Sequence, residues 1–240
     1  MPHLKESIRE FLSRRGWFLR RTAGLPIGVD FRHDWTVRAG LPLPRLIVDV
    51  GAHRGETCLA FARAFPGAHI HAFEPVSDNF AALTHATRPL TDVTRHQLAL
   101  GARSETVAIL LQPDSQTHSL RHRVRPGAPT ANDASETIRV TTLDAFAADS
   151  AIGRIDLLKI DTEGHEIAVL EGASRLLAAG AVGPVYLEAT LDPDDTEHTQ
   201  LADVTACLAR FGYRLAGLYE QVLWSSPSRL AYFNALFLPR

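Results

Sequence analysis

The stretch Leu46-Ile47-Val48-Asp49-Val50-Gly51-Ala52-His53-Arg54-Gly55-Glu56-Thr57 decides how this chain is read. A largely β-branched apolar run ends in a glycine-bearing turn that opens a helix. Ile70-His71-Ala72-Phe73-Glu74-Pro75 follows, a second apolar run closing on a lone carboxylate about 20 residues later, which is the layout of a nucleoside-binding βαβ unit. The chain is therefore expected to bind a nucleoside-containing cofactor.

The glycines and acids narrow the choice of cofactor. A dinucleotide fingerprint reads G-x-G-x-x-G, its middle glycine letting the backbone approach a pyrophosphate at the helix N-terminus. His53 stands at that middle position here, and the next glycine is Gly55. Asp49, at the end of the first strand, would face a pyrophosphate with the wrong sign of charge. A strand-end acid and a second acid for ribose hydroxyls suit S-adenosylmethionine, which carries an ammonium and a sulfonium and no phosphate. The structural alternative is an ordinary α/β turn whose Asp caps the following helix.

Composition agrees with a globular enzyme. The chain has 240 residues, 45% hydrophobic and 22% charged, enough for a sizeable core in one or two domains. Its 25 basic and 27 acidic residues give a formal charge of −2, so the electrostatic footprint of a nucleic-acid binder is missing. Cys58 and Cys207 are too few and too distant for a disulfide framework or zinc site, which fits a reducing, cytoplasmic setting. No long apolar run reads as a membrane span, and no apolar signal core is visible at the N-terminus. Within residues 1–21, Leu4, Ile8, Phe11, Leu12 and Leu19 recur at helical spacing among Lys5, Arg9, Arg14, Arg15, Arg20 and Arg21. Such a helix can lie on anionic lipid. The preferred reading is packing on the core through Trp17, Phe18 and Trp35, with a solvated face. Nothing in the sequence sets the oligomeric state, which leaves a homo-oligomer open.

Beyond residue 44, strands and helices alternate. Strands are expected at 45–50, 68–73 and 92–98, with helices at 55–65, ended by Pro66-Gly67, and at 77–87, stopped before Pro89. Thr106–Leu111 and Glu136–Thr141 read as strands flanking a polar stretch from Gln112 to Ser135, a β and loop excursion that either covers the site or is a plain surface insertion. Arg154–Asp161 and Val185–Glu188 are strands closing on acids. A helical pattern through Ile167, Leu170, Ala173, Leu176 and Leu177 lies between them. A helix over about 195–211 and strands near 213–218 and 231–238 complete the chain. Repeated βα units imply a mostly parallel sheet whose ligands gather at strand carboxyl ends. Asp49, Glu74, Asp161 and Glu188 should converge there.

Five ordered blocks carry a family resemblance: Asp49-Val50-Gly51-Ala52-His53-Arg54-Gly55, Phe73-Glu74-Pro75, Thr141-Thr142-Leu143-Asp144-Ala145-Phe146, Lys159-Ile160-Asp161-Thr162-Glu163-Gly164-His165-Glu166 and Asn234-Ala235-Leu236-Phe237. Over roughly residues 45–238 the chain resembles the FkbM family of S-adenosylmethionine-dependent methyltransferases. The resemblance implies an α/β fold, the class I methyltransferase (Rossmann-like) sheet, mostly parallel and seven-stranded with an antiparallel last strand. An N-terminal helical extension (1–44) would precede this domain (45–240), which carries the β/loop insertion. It further implies methyl transfer to a hydroxyl oxygen on a small-molecule or glycan acceptor: a sugar, glycolipid or polyketide-type product. Asp49, Gly51 and Gly55 would surround the methionine part of the cofactor and Glu74 its ribose, with Leu98, Ala99 and Leu100 near the adenine. The family usually carries Asn where His53 stands, and either side chain can cap the helix.

An aliphatic hydroxyl is a poor nucleophile at neutral pH, so it needs a base or a metal that lowers its pKa, while positioning supplies much of the rate. Asp161 is the expected orienting acid or base, with His165 the competing base. The alternative is that Asp161 and Glu188 ligate Mg²⁺. Structural roles compete with these: Lys159 can pair with Asp161, and Glu163 and Glu166 can complement a helix N-terminus. His118 and His122, near Ser119, fall in the polar loop, and Asp192-Pro193-Asp194-Asp195 either shapes the acceptor pocket or caps a helix. A non-catalytic or differently specific nucleoside-cofactor-binding protein of the same fold is the rival reading.

Overall fold

The computed structural model describes residues 11, 14, 15, 24–111, 135–225 and 228–240, and the chain divides into two units, Met1–Leu41 and Pro42–Arg240. In the first unit, Asp30 caps a short helix, Phe31–His33, that passes into a π-helical turn, Asp34–Arg38. Buried Asp34 accepts from the Gly28 amide at 2.8 Å and pairs with Arg38 Nε at 2.7 Å. Of the amphipathic helix expected over residues 1–21, only Phe11, Arg14 and Arg15 are described, and Trp17 and Phe18 lie outside the described residues. None of the described helices is long and apolar enough to cross a membrane.

In the second unit the strands are β1 (Leu46–Val50), β2 (His69–Phe73), β3 (Val93–His96), β4 (Ala99–Leu100), β5 (Glu105–Leu110), β6 (Ser135–Thr141), β7 (Leu157–Ile160), β8 (Val185–Thr190), β9 (Arg214–Tyr219), β10 (Leu223–Ser225), β11 (Ser228–Leu230) and β12 (Tyr232–Leu238). The helices are α1 (Glu56–Ala64), α2 (Ser77–Ala86), α3 (Leu143–Asp149), α4 (Glu166–Glu171), α5 (Ser174–Ala178) and α6 (Leu201–Ala209). Seven strands form one sheet in the order β3-β2-β1-β7-β8-β12-β9. β1, β2, β3, β7 and β8 pair in parallel, and β12 runs antiparallel to both its neighbours. This is the class I methyltransferase topology that the resemblance implies. Chain order reverses between β1 and β7, so a crevice opens at their carboxyl ends.

Every residue of β7 and β8 is buried, as expected of central strands covered on both faces. Val48, Phe73, Ile160, Leu187, Phe233 and Phe237 belong to the main core. Lys159 and Glu188, in the same strands, are thus ionisable groups where apolar ones are the rule. A second apolar cluster, Val76, Ala99, Ile109, Ile138 and Val140, lies around the three-stranded sheet β4-β6-β5.

Four local departures from the sequence reading have physical causes. The strand expected over 92–98 ends at His96, where the chain turns and Ala99-Leu100 pairs with β6 instead. The helical pattern from Ile167 breaks at Gly172-Ala173 because the Gly172 backbone packs on Gly101: a Cβ there would lie 2.0 Å from the Gly101 carbonyl oxygen. α6 begins at Leu201 rather than 195, since Asp195 turns the preceding chain by accepting from the amides of Glu197 and His198. Helix α3 was not anticipated. Thr142 caps it, and its Asp144 accepts from the Arg175 and Leu176 amides at 2.9 and 3.0 Å, so the Thr141–Phe146 block braces α3 to α5.

Candidate functional site

A cavity of about 310 Å³ opens at the carboxyl ends of β1, β2, β7 and β8, the size of a small-molecule site. One end is made by the β1–α1 turn, the end of β2, the start of α2 and residues Leu98–Leu100. There Glu74 is buried and held by its own backbone surroundings: Oε2 accepts from the His53 amide at 3.0 Å and Oε1 from the Val76 amide at 2.9 Å. Each oxygen keeps a lone pair for an incoming donor. Burial raises the Glu74 carboxyl to about 7, against the lowering effect of those hydrogen bonds.

The β1–α1 turn explains its residues. His53 has φ +46°, a left-handed conformation in which Asn, Asp and His are enriched among non-glycine residues. That is a physical reason for Asn and His to interchange at this position. Gly51 (φ +76°) lies so close to β7 that a Cβ would come within 1.7 Å of the Asp161 carbonyl oxygen. Gly55 (φ +97°) caps α1, and a Cβ would press on Leu83 and Thr87 at 3.1 Å.

The other end is acidic. Asp161, Thr162 and Glu163 beyond β7, Glu188 on β8 and Tyr232 on β12 line it. Buried Glu166 clamps the turn: its Oε1 accepts from the Thr162 amide and hydroxyl, both at 2.9 Å, and from the Gly164 amide at 3.3 Å. That clamp holds Glu163 at φ +53°, a costly conformation for a non-glycine residue that concentrates at functional sites. Burial, and then the charge of Asp161 and Glu166, raise the Glu163 carboxyl to about 8. Burial and the charges of Asp161 and Glu163 push Glu188 upward in the same way.

Between the two ends sits Lys159, 3% exposed. Its ammonium lies 3.1 Å from Asp49 Oδ1 and 3.4 Å from Asp161 Oδ2, and it donates to the Gly51 carbonyl at 3.1 Å. Burial alone would lower its pKa, but Asp49 and Asp161 hold it above its ordinary range.

Of the residues singled out in the sequence, Gly51, His53, Glu74, Ala99, Asp161 and Glu188 line the cavity and Asp49, Gly55 and His165 do not. Asp49 is 0% exposed and sits behind the wall, its second oxygen accepting from the Cys58 thiol at 3.1 Å. Of the four strand-end acids, three converge on the cavity and Asp49 reaches it through Lys159. His165 packs instead toward Gly101, where a Cβ would meet its Nε2 at 3.2 Å. The insertion does contribute: Ile109 of β5 and Ile138 of β6 line the wall, and Glu136 ties β6 to the start of α2 through the Ser77 amide. His118, Ser119 and His122 lie outside the described residues.

Some functional candidates were missed. Asn79 of α2 lines the cavity; its only sequence signal is a polar residue on the inward face of a helix. Lys159 was read only as a partner for Asp161, although a lysine inside an apolar strand is itself a signal. His198, whose Nε2 lies 3.6 Å from Glu188 Oε2, sits in a stretch read as helix and gave none.

Comparison with known proteins finds methyltransferases among the relatives of this chain. Hexuronic acid methyltransferase AglP of Haloferax volcanii is 28% identical over 150 residues, 61% of this chain and 57% of that protein. Methyltransferase sdnD of Sordaria araneosa is 30% identical over 165 residues, 57% of this chain and 63% of that protein. The chain thus spans about three fifths of the length of the curated relatives it matches. Among solved structures, the N-terminal domain of EvdMO1, crystallised in the presence of SAH and D-fucose, superposes with a TM-score of 0.46 at 13% identity, over 98% of this chain and 97% of that one. The profile of the Methyltransferase FkbM domain matches residues 49–215, and the chain belongs to that family.

Proposed function

We propose that this protein transfers the methyl group of S-adenosylmethionine to a hydroxyl oxygen of a sugar, glycolipid or polyketide-type acceptor. The observation that carries the reading is the set of carboxyl groups on the cavity wall. Glu56, Glu74, Asp161, Glu163 and Glu188 line it, and the lysine among them, Lys159, is already engaged by Asp49 and Asp161. Such a wall disfavours a pyrophosphate and favours a cationic, phosphate-free ligand, whose charge would draw into the ionised form the carboxyls that burial and mutual repulsion raise.

The residues fit the cofactor. Glu74, preset by two backbone amides, is placed to accept from ribose hydroxyls, and Leu98, Ala99 and Leu100 offer an apolar slot for a base. Gly51 and His53 form the floor, which Asp49 steadies through Lys159 and the Gly51 carbonyl. Bound there, S-adenosylmethionine supplies an activated methyl whose C–S bond breaks as the acceptor O–C bond forms, leaving S-adenosylhomocysteine and a proton. Asp161, half-buried and pinned by Lys159, is the carboxylate we assign to orient the acceptor hydroxyl and take that proton. His165, outside the wall, is no longer the competing base in this reading. The name of the AglP relative, a hexuronic acid methyltransferase, supports a sugar acceptor.

Calorimetry comparing S-adenosylmethionine with NAD tests the cofactor, and methyl-labelled S-adenosylmethionine incubated with extracted glycans, lipids and secondary metabolites tests the transfer. Binding of NAD in preference to S-adenosylmethionine would overturn the reading.

A further inference from the structure

We infer that Glu163, Glu188 and His198 form a binding site for a divalent transition-metal ion at the acidic end of the cavity. One carboxylate oxygen from each glutamate and one ring nitrogen of His198 all lie within 4.8 Å of one another. Small side-chain rotations bring these atoms to the roughly 3–4 Å that separates ligands around an ion bound at about 2.1 Å.

The imidazole is presented for the role. Its Nδ1 lies 2.8 Å from Asp195 Oδ2, and Asp195 is itself fixed by accepting from the amides of Glu197 and His198 at 2.9 and 3.0 Å. A carboxylate facing Nδ1 accepts a hydrogen bond from Nδ1–H, which fixes that tautomer and leaves the lone pair on Nε2, the nitrogen that faces Glu188. Tyr232 stacks on the ring with centroids 4.3 Å apart and planes 18° from parallel. A carboxylate behind a histidine whose other nitrogen is left as an acceptor is the usual arrangement of a metal-ligating imidazole.

Glu188 is an independent pointer. It is 9% exposed and lines the cavity, and its Oε2 has no hydrogen-bond partner among the described residues. The 3.6 Å to His198 Nε2 is too long to count as one. A buried carboxylate oxygen left without a partner is costly. Lys159 cannot supply the missing cation, being committed to Asp49, Asp161 and the Gly51 carbonyl.

The donor set selects the ion. One imidazole nitrogen with two carboxylates suits Mn²⁺, Fe²⁺ or Zn²⁺, whereas Mg²⁺ prefers oxygen alone. The Asp161–Glu188 pair, which the sequence offered only as an alternative Mg²⁺ site, gives way in this proposal to a different set, and Asp161 stays available as a base. Binding of the ion stands without the methyl-transfer reading. Its role, lowering the pKa of an acceptor hydroxyl, rests on that reading.

The test uses the full, metal-stripped chain with Mn²⁺ as the probe, in the absence of cofactor and acceptor. Calorimetry and electron paramagnetic resonance should find a single saturable site, displaced by Zn²⁺ and not by an equal concentration of Mg²⁺. The wild-type spin-echo spectrum should show coupling to an imidazole nitrogen, a readout that needs no variant to fold. E188Q and H198Q should each weaken Mn²⁺ at least about tenfold, and D195N, whose side chain lies off the cavity wall, should weaken it about 10–100-fold with S-adenosylmethionine affinity changed less than about threefold. Absence of a saturable site, absence of nitrogen coupling, or unchanged affinity in both E188Q and H198Q would overturn the inference. S-adenosylmethionine binding measured on the same sample separates the two readings: retained there without a metal site, only the ion fails.

Discussion

The two ends of the cavity are built by opposite means. At the nucleoside end Glu74 is fixed by backbone amides from His53 and Val76, groups whose positions follow from the βα turns themselves. At the acidic end the polar groups are fixed by one another: Lys159 holds Asp161, Glu166 clamps the Thr162–Gly164 turn, and Asp195 sets His198. The first end depends on backbone amides, the second also on charged side chains that hold one another, Lys159 with Asp49 and Asp161 and Asp195 with His198. Substitutions at the two ends should therefore fail differently, the nucleoside end in affinity alone and the acidic end in turnover or stability.

The largest effect is expected at Asp161. Asp161→Asn keeps the shape and removes the proton acceptor, so kcat should fall by about 10²–10⁴-fold while the S-adenosylmethionine Kd stays within about threefold. Steady-state kinetics with the identified acceptor, beside calorimetry, check the split. A fall in affinity without a fall in kcat would show that the two ends are not separable.

Asp49 comes next because it lies behind both ends. Asp49→Asn leaves the Lys159 ammonium buried with Asp161 as its remaining carboxylate, a loss of about 3 kcal/mol in unfolding free energy. The double variant Asp49→Asn/Lys159→Met should recover much of that stability while cofactor affinity stays low, since the Gly51 carbonyl has lost its donor. Denaturant melts of the two variants decide it. Equal instability in both would show that the ion pair is not what the site depends on.

The same contrast explains what could be read from the chain. β1 to α1 and the end of β2 were legible because periodicity, two glycines and one acid lie within a single βα unit, where local chemistry dictates geometry. The parallel sheet followed from repeated apolar runs closing on acids. Asp49 misled, because a strand-end acid looks the same whether it faces a cleft or a lysine on the neighbouring strand. Only the register pairing Asp49 with Lys159 distinguishes the cases. The break at Gly172 was hidden for a related reason, its cause being the carbonyl of Gly101 far away in sequence. His198 was illegible because, although Asp195 lies three residues before it, Glu188 and Glu163 come from β8 and from the turn beyond β7.

At the nucleoside end, Glu74→Gln keeps the volume but loses the charge and one of the two oxygens that accept from the His53 and Val76 amides. Hydrogen bonds to a charged acceptor contribute about 1.5–3 kcal/mol, so S-adenosylmethionine affinity should fall by about 10–100-fold with kcat at saturation nearly unchanged. A kcat loss equal to that of Asp161→Asn would erase the distinction between the ends.

The smallest effect tests the physical state of Glu74 itself. With its carboxyl raised by burial to about 7, the free protein holds a proton on Glu74 at lower pH that the unfolded chain would already have released. More protons are bound in the folded state between about 4.5 and 7, so the stability contributed by this group falls as pH rises through that window and is flat above it. Cofactor binding has the opposite sign. Ribose hydroxyls donate best to the ionised carboxylate, so binding must expel the proton and should tighten about tenfold between pH ~6 and pH ~8, as the ionised fraction rises about tenfold for a group titrating near 7. Calorimetry in two buffers of different ionisation enthalpy should register close to one proton released per cofactor near pH ~6, and none in Glu74→Gln. A wild-type affinity that is flat across this range would mean that Glu74 is ionised before the cofactor arrives, and that the two backbone amides outweigh its burial.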